Sequence, residues 1–214
     1  MAAITVWGRK SSVNVQSVLW ALDELSLDYE RHDAGFVYGV VDTPEFREMN
    51  PNGLVPVLID GEREPIFESG AIVRYLGAQY GAEPFWPQDP ASRAQVDKWA
   101  EWAKLNFGAP FILTVFWKLV RTRADQINYE TLQRSLDQIE AVLAHADAKL
   151  AKTRYIAGDE FSFADIMLGY ALFRYFDIDV VRRAMPHLRR YYDLLGERPA
   201  YQVNIIYPYD ELRV

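Results

Sequence analysis

Apolar and polar positions along the chain fall into two stretches of different rhythm. Ile4 and Val6 alternate with Thr5 and Trp7, the two-residue period of a strand. After a polar loop, Val15, Val18, Leu19, Leu22 and Leu25 recur every three or four residues, which predicts a helix. Leu27 and Tyr29 predict a second strand. Thr43-Pro44 sets a capping residue before a proline at the first helical position, opening a short helix with Phe46 and Met49 inward, and Asn50-Pro51-Asn52-Gly53 forces a turn. Val55 to Ile59 and Pro65 to Phe67 predict two strands joined through Asp60-Gly61, a dipeptide suited to hairpin turns, so they should pair antiparallel. From Ser69 onward, Ile72, Val73, Leu76 and Tyr80 form one helical stripe.

The resulting order, βαβαββα, matches an α/β sandwich of the thioredoxin-like type. Residues 81–90 carry Gly and Pro without periodicity and predict a linker, giving a first domain over 1–81, a linker over 82–90 and a second domain over 91–214. Past residue 90 only helices are expected. Asp89-Pro90 opens a long one with Val96, Trp99, Trp102 and Ala103 on one face, interrupted at Gly108-Ala109-Pro110 with a kink near Pro110, then resumed through Phe111, Val115, Phe116 and Leu119. Tyr129, Leu132, Leu136, Ile139, Leu143, Ala146 and Leu150 suit a coiled coil or a bundle helix, with the bundle favoured. Further helices are expected over 162–175, 186–195 and 199–205, making the second half an all-α helical bundle.

Composition narrows the partners. Half of the 214 residues are hydrophobic, enough for a real core, and the formal net charge of −7 repels nucleic-acid phosphates and anionic lipid, so neither is an expected partner. There is no cysteine, which excludes disulfides, thiolate metal sites and a protein thiol nucleophile. His32, His145 and His187 are widely spaced, so no metal is expected. The apolar stretch from Ala109 to Trp117 is far short of the ~20 residues of a membrane span. Met1-Ala2-Ala3 runs into the first strand without a basic and then apolar leader, which points to the cytoplasm.

Candidate chemistry gathers in the first half. Ser12 and Asn14 stand where the first loop meets the first helix, a place where free N–H groups and the helix dipole favour an anion such as a thiolate. A bound thiol with an ordinary pKa of about 8.5 is mostly protonated at neutral pH, so a hydroxyl or amide aimed at sulfur raises its nucleophilic fraction. Val55-Pro56 after a tight turn fits a cis bond and can leave the backbone of Val55 free to pair with an extended peptide. Glu68-Ser69 at another helix start suits an amino-acid headgroup, carboxylate on Ser69 and ammonium on Glu68. Singly, each has a plainer use, as a helix cap, an edge-strand proline or a solvated charge.

Together, Gly8-Arg9-Lys10-Ser11-Ser12-Val13-Asn14-Val15, Asn50-Pro51-Asn52-Gly53-Leu54-Val55-Pro56-Val57-Leu58 and Glu68-Ser69-Gly70-Ala71-Ile72-Val73-Arg74-Tyr75-Leu76 resemble the glutathione transferase superfamily in order and spacing, nearest to its bacterial theta-like or beta-like members. The likeness covers essentially the whole chain. It implies glutathione as co-substrate, no metal, a homodimer and a detoxifying conjugation, with Ser12 or Asn14 at the sulfur. It also implies Val55 at the cysteinyl backbone and Glu68 with Ser69 at the γ-glutamyl end. Leu54 stands where many relatives carry a basic residue for the glycyl carboxylate, so that contact falls to the Leu54 backbone or to Arg9 or Lys10. An electrophile pocket is expected from Trp102, Phe107, Phe111 and Trp117. Gly158 to Ile166 is similar to the family's buried-helix folding motif, with Ser162 as N-cap, Asp165 three residues on, and Phe161 and Ile166 as a hydrophobic staple. The first-loop tyrosine of some classes and the cysteine of others are lacking. Glutathione-dependent peroxide or disulfide reduction, and a non-catalytic ligand carrier or scaffold, are the rival readings.

Overall fold

The computed structural model describes residues 4–214; Met1 to Ala3, where the sequence predicts a start without a leader, lie outside the described residues. Strand β1 (Ile4–Trp7) has β2 (Tyr29–His32) parallel on one side, Ile4 opposite Tyr29, and β3 (Val57–Asp60) antiparallel on the other, Trp7 opposite Val57. β4 (Ile66–Phe67) closes the order β2-β1-β3-β4. This is the expected thioredoxin-like sheet with shifted bounds. β2 begins at Tyr29 rather than Leu27. β3 begins at Val57 rather than Val55, because Pro56 has no N–H to give a ladder.

The strand period sorts side chains between two layers. Ile4, Val6 and Leu58 face α1 (Val13–Glu24) and α3 (Ser69–Tyr80). Trp7, Val57 and Phe67 face the other way, toward Phe46 of α2 (Pro44–Met49). Thr43 caps α2 as expected, its hydroxyl accepting from the N–H of Phe46 at 3.3 Å. A 3₁₀ turn at Phe36–Tyr38, which the sequence pattern did not announce, lies between Gly35 and Gly39, both at positive φ.

The second half is helical throughout. α4 (Pro90–Trp102) starts at Asp89, whose carboxylate accepts from Ser92 N–H at 2.7 Å. The expected interruption at Pro110 does not occur. The backbone stays helical through wide π turns at Ala103–Gly108 and Ile112–Phe116, which flank α5 (Ala109–Phe111), and on into α6 (Trp117–Val120). Proline removes one i→i−4 bond, and wider turns on either side take up the misfit. α7 (Tyr129–Leu150) buries Leu132, Leu136, Ile139, Leu143 and Leu150 as a bundle helix. The helix expected over 162–175 is instead α8 (Phe163–Gly169) and α9 (Leu172–Asp177), divided at Tyr170-Ala171, and α10 (Pro186–Gly196) and α11 (Pro199–Asn204) follow.

The halves share one core. Trp20 of α1 is fully buried against Phe161 and, edge-on at 4.8 Å, against Tyr201 of α11. Gly169 of α8 makes room for it, since a Cβ there would lie 2.7 Å from the Trp20 ring. Residues 81–89 are packed rather than loose. Trp86 lies 4.8 Å from the Phe163 ring and covers Gly77, and Phe85 is buried with its carbonyl accepting from Phe163 N–H at 3.2 Å.

Candidate functional site

The loop leaving β1 and the start of α1 form one wall of a cleft of about 330 Å³, and the helical half forms the other. From the first half come Arg9, Ser11, Ser12, Val13, Asn14, Leu54 and Val55; from the second come Ala109, Ile112, Leu113, Trp117, Tyr170 and Arg174. Ser12 is the N-cap residue of α1, yet its hydroxyl makes no capping bond. Its carbonyl accepts from Gln16 N–H at 2.9 Å, so the backbone starts the helix while the side chain stays uncommitted. Ser12 is 8% exposed, which keeps that hydroxyl largely out of bulk water.

Asn14 is exposed and ties the cleft to its neighbour, since Ser69 Oγ donates to Asn14 Oδ1 at 3.5 Å. Ser69 is the first residue of α3 rather than its cap, and Glu68 holds the cap position with φ of 68°. A left-handed φ on a residue with a side chain costs of order 1 kcal/mol and is commonest where function needs it. Glu68 is not free. Lys104 Nζ lies 3.1 Å from its carboxylate, so an incoming ammonium would share that group with a resident cation.

The Val55–Pro56 bond is cis, as the turn suggested. Val55 precedes the β3 ladder, and its N–H and C=O have no partner among the described residues. The Leu54 side chain is 62% exposed and its carbonyl accepts from Asn50 Nδ2 at 2.8 Å, so the loop is braced from behind.

Of the aromatic residues expected to line a second pocket, the cleft takes Trp117 alone. Phe107 and Phe111 are fully buried, stacked at 5.7 Å on each other and edge-on to Tyr175, so they belong to the core. Trp102 is half-buried against Trp99 at 5.3 Å. Three-four spacing shows that residues share a helix face but not which cavity that face meets, and the π turns rotate the register between Trp102 and Trp117.

Arg174 is among the lining residues that sequence reasoning missed, with Tyr170, Ile112 and Leu113. It is 2% exposed, and its guanidinium donates to the carbonyl of Ser11 and sits 4.6 Å from the Phe116 ring. Burial pushes its pKa down to about 9. Arg9 is half-buried beside it and also lowered, by burial first and by the nearby Arg121 second. A signal existed: Arg174 is the only charge between Ile166 and Phe176. Lys10 points elsewhere, over the Tyr207 ring. No group of His, Cys, Asp and Glu able to hold a metal occurs among the described residues.

The cleft thus sets an uncommitted hydroxyl at a helix amino end beside the unpaired backbone of Val55, and the chain that carries it is similar to known proteins along almost its whole length. The chain matches the family models "Glutathione S-transferase, N-terminal domain" over residues 2–78 and "Glutathione S-transferase, C-terminal domain" over 129–194. It is 40% identical to the glutathione S-transferase GstB of Escherichia coli K12 over 96% of this chain and 99% of that one. It is 30% identical to the disulfide-bond oxidoreductase YghU of the same organism, over 90% of this chain and 68% of that one. Among solved structures, the theta class glutathione S-transferase of Xanthomonas axonopodis pv. citri with glutathione bound superposes with a TM-score of 0.90 at 41% identity, covering 97% of this chain and 99% of that chain. Two family models in the expected order, and relatives alike from end to end, place this chain in the glutathione S-transferase family.

Proposed function

We propose that this transferase binds glutathione across residues 1–81, ionises its thiol at Ser12, and conjugates the sulfur to a small electrophile held against residues 91–214, with 82–90 joining the two. In this reading Val55 pairs with the cysteinyl backbone, Leu54 lies alongside it, and Ser69 with Glu68 takes the γ-glutamyl end, Asn14 orienting Ser69. Trp117 contributes to the electrophile wall; Trp102, Phe107 and Phe111 support it from the core. The enzyme acts in the cytoplasm as a detoxifying homodimer. Sedimentation should then give twice the protomer mass of 24.7 kDa.

The observation that carries the reading is the Ser12 hydroxyl, free of any capping bond at the start of α1 and facing the cleft. A hydrogen bond to a charged sulfur is worth about 1.5–3 kcal/mol. Ser12→Ala should therefore lower kcat by roughly ten- to a hundredfold while the Kd for glutathione moves little. It should also shift the pH at which the rate reaches half its maximum upward, because the thiolate loses its donor. Equal losses in kcat and binding would remove Ser12 from the sulfur.

A second reading, glutathione-dependent disulfide reduction, has the similarity to YghU in its favour. With no cysteine in the chain, glutathione would have to supply both thiols. Turnover of a glutathionyl disulfide exceeding that of every electrophile in a panel of halides, epoxides and hydroperoxides would prefer it.

A further inference from the structure

Ser12 reaches the cleft from a loop that is held by donors from both halves of the molecule. Gly8 C=O accepts from Arg31 at 2.8 Å, Arg9 C=O from Ser12 N–H at 3.1 Å and Ser12 C=O from Gln16 N–H at 2.9 Å, all within the first half. The Ser11 carbonyl is held from the second half, by the guanidinium of Arg174 in α9. The peptide unit that joins Ser11 to Ser12 is therefore fastened along both edges, its N–H to Arg9 and its C=O to Arg174. A planar peptide held in this way sets ψ of Ser11 and φ of Ser12, and with them the direction of the Ser12 Cα–Cβ bond. The hydroxyl makes no capping bond, so the backbone alone aims it.

The fold by itself does not call for an arginine at 174. The side chain is 2% exposed, lies 4.6 Å from the Phe116 ring and 5.6 Å from that of Tyr209, and forms no ion pair among the described residues. The titratable groups that act on it are Tyr209, Arg9 and Tyr170; Glu211 acts on Arg9, and Asp177 accepts from Tyr209 at 2.5 Å. Burying a guanidinium without a carboxylate in contact is unfavourable, and an apolar chain of similar length would suit the surrounding rings better. With its pKa lowered to about 9 the guanidinium is still charged at neutral pH, and a charged donor holds a carbonyl more firmly than a neutral one. The helix that carries it is itself fastened, since Tyr175 OH donates to Glu140 of α7 at 3.1 Å.

We infer that Arg174 is a positioning residue for the conjugation: through the Ser11 carbonyl it aims the Ser12 hydroxyl at the sulfur, so that ionisation of the thiol depends on α9 being docked against the first loop. This rests on the reading of Ser12 as the donor to the thiolate. In this role Arg174 touches neither the sulfur nor the electrophile, and its effect passes through Ser12.

The test is a double-mutant cycle of Arg174→Met with Ser12→Ala, read by the ultraviolet absorbance of the bound thiolate against pH and by kcat and the Kd for glutathione. Arg174→Met alone should lower kcat about tenfold and move the midpoint of thiol ionisation up by about one pH unit, with Kd nearly unchanged. In the Ser12→Ala background the same change should do almost nothing, because the hydroxyl it aims is gone. Arg174→Lys keeps the charge without the planar fork and should rescue only in part. Phe116→Leu, which takes away the ring under the guanidinium, should give the same pattern at smaller size, and it carries the cycle if the Arg174 variants do not fold. An equal loss in both backgrounds overturns the proposal, since the arginine would then act on the thiolate directly or on the fold at large. So does full rescue by lysine, which would assign the effect to charge alone, and so does a loss of binding as large as the loss of kcat. Ser12→Ala separates the layers. If it leaves the ionisation midpoint where it was, the reading of Ser12 fails; if it moves the midpoint and the Arg174 variants do not, only this inference does.

Discussion

At the scale of single residues, function and stability pull against each other at Glu68. Its φ of 68° is a conformation that glycine adopts freely and a glutamate does not, and its carboxylate is more than half exposed, so the pair with Lys104 adds little to the fold. Glu68→Gly should raise the unfolding free energy by about 1 kcal/mol in urea titrations. With Glu68 at the γ-glutamyl end, as proposed, the same change should weaken glutathione binding several-fold, since the ammonium would lose its acid. A variant that loses stability would show that the backbone there is not strained. Asn14 is a second such residue. Its side-chain oxygen holds Ser69, so Asn14→Ala should raise the Kd for glutathione more than it lowers kcat, the opposite split from Ser12→Ala. These residues stand out in the sequence because capping positions and X-Pro turns announce themselves in a few letters. Phe107 and Phe111 were not, because an aromatic at helical spacing reads the same whether it faces a cleft or a core.

At the scale of elements, α8 shows how a short motif can fix a helix. Asp165 is fully buried and accepts from Ser162 N–H at 2.8 Å, Ser162 Oγ at 3.2 Å, Ile156 N–H at 3.0 Å and Tyr191 OH at 2.8 Å. Phe161 and Ile166 beside it are buried as well. Asp165→Ala leaves four donors without an acceptor and should cost about 3–5 kcal/mol, measurable as a lower urea midpoint. The carboxyl also predicts a pH dependence. Burial pushes its pKa up to about 6 from 3.8 in the unfolded chain, against the pull of its donors. The folded state therefore binds this proton more tightly than the unfolded state does. Its contribution to stability is fully present below about pH 4 and declines as pH rises through about 6. Subtracting the profile of Asp165→Asn should isolate that decline, and a flat difference between pH 4 and 7 would remove the shifted carboxyl. The helix around Pro110 was harder to read. Proline usually ends a helix, and only the packing of Phe107, Phe111 and Phe116 into the core shows why this one carries on through π turns.

At the scale of the whole molecule, the order of elements was readable and the continuity of the core was not. A change of rhythm near residue 81 marks where the strand-bearing half ends, after α3, yet it says nothing about what the helices of one half pack on. Here α1, the helix whose amino end carries Ser12, is held from behind by the second half. Trp20 fills the space between Phe161, Tyr201 and Gly169, and Glu24 at its far end pairs with Arg198 of the other half. An element shared in this way couples the halves energetically, since neither can unfold without exposing the other's apolar surface. The chain should then unfold in one transition, with tryptophan fluorescence and far-ultraviolet circular dichroism superimposing. Trp20→Ala should cost about 3–5 kcal/mol and lower that single Tm by roughly 10 °C. Two separate transitions, in the native chain or in the variant, would mean that the halves stand alone. Residual activity adds a second reading of the same variant: because Trp20 sits about two turns along the helix that Ser12 caps, loosening it should slow conjugation even at temperatures where the fold is intact.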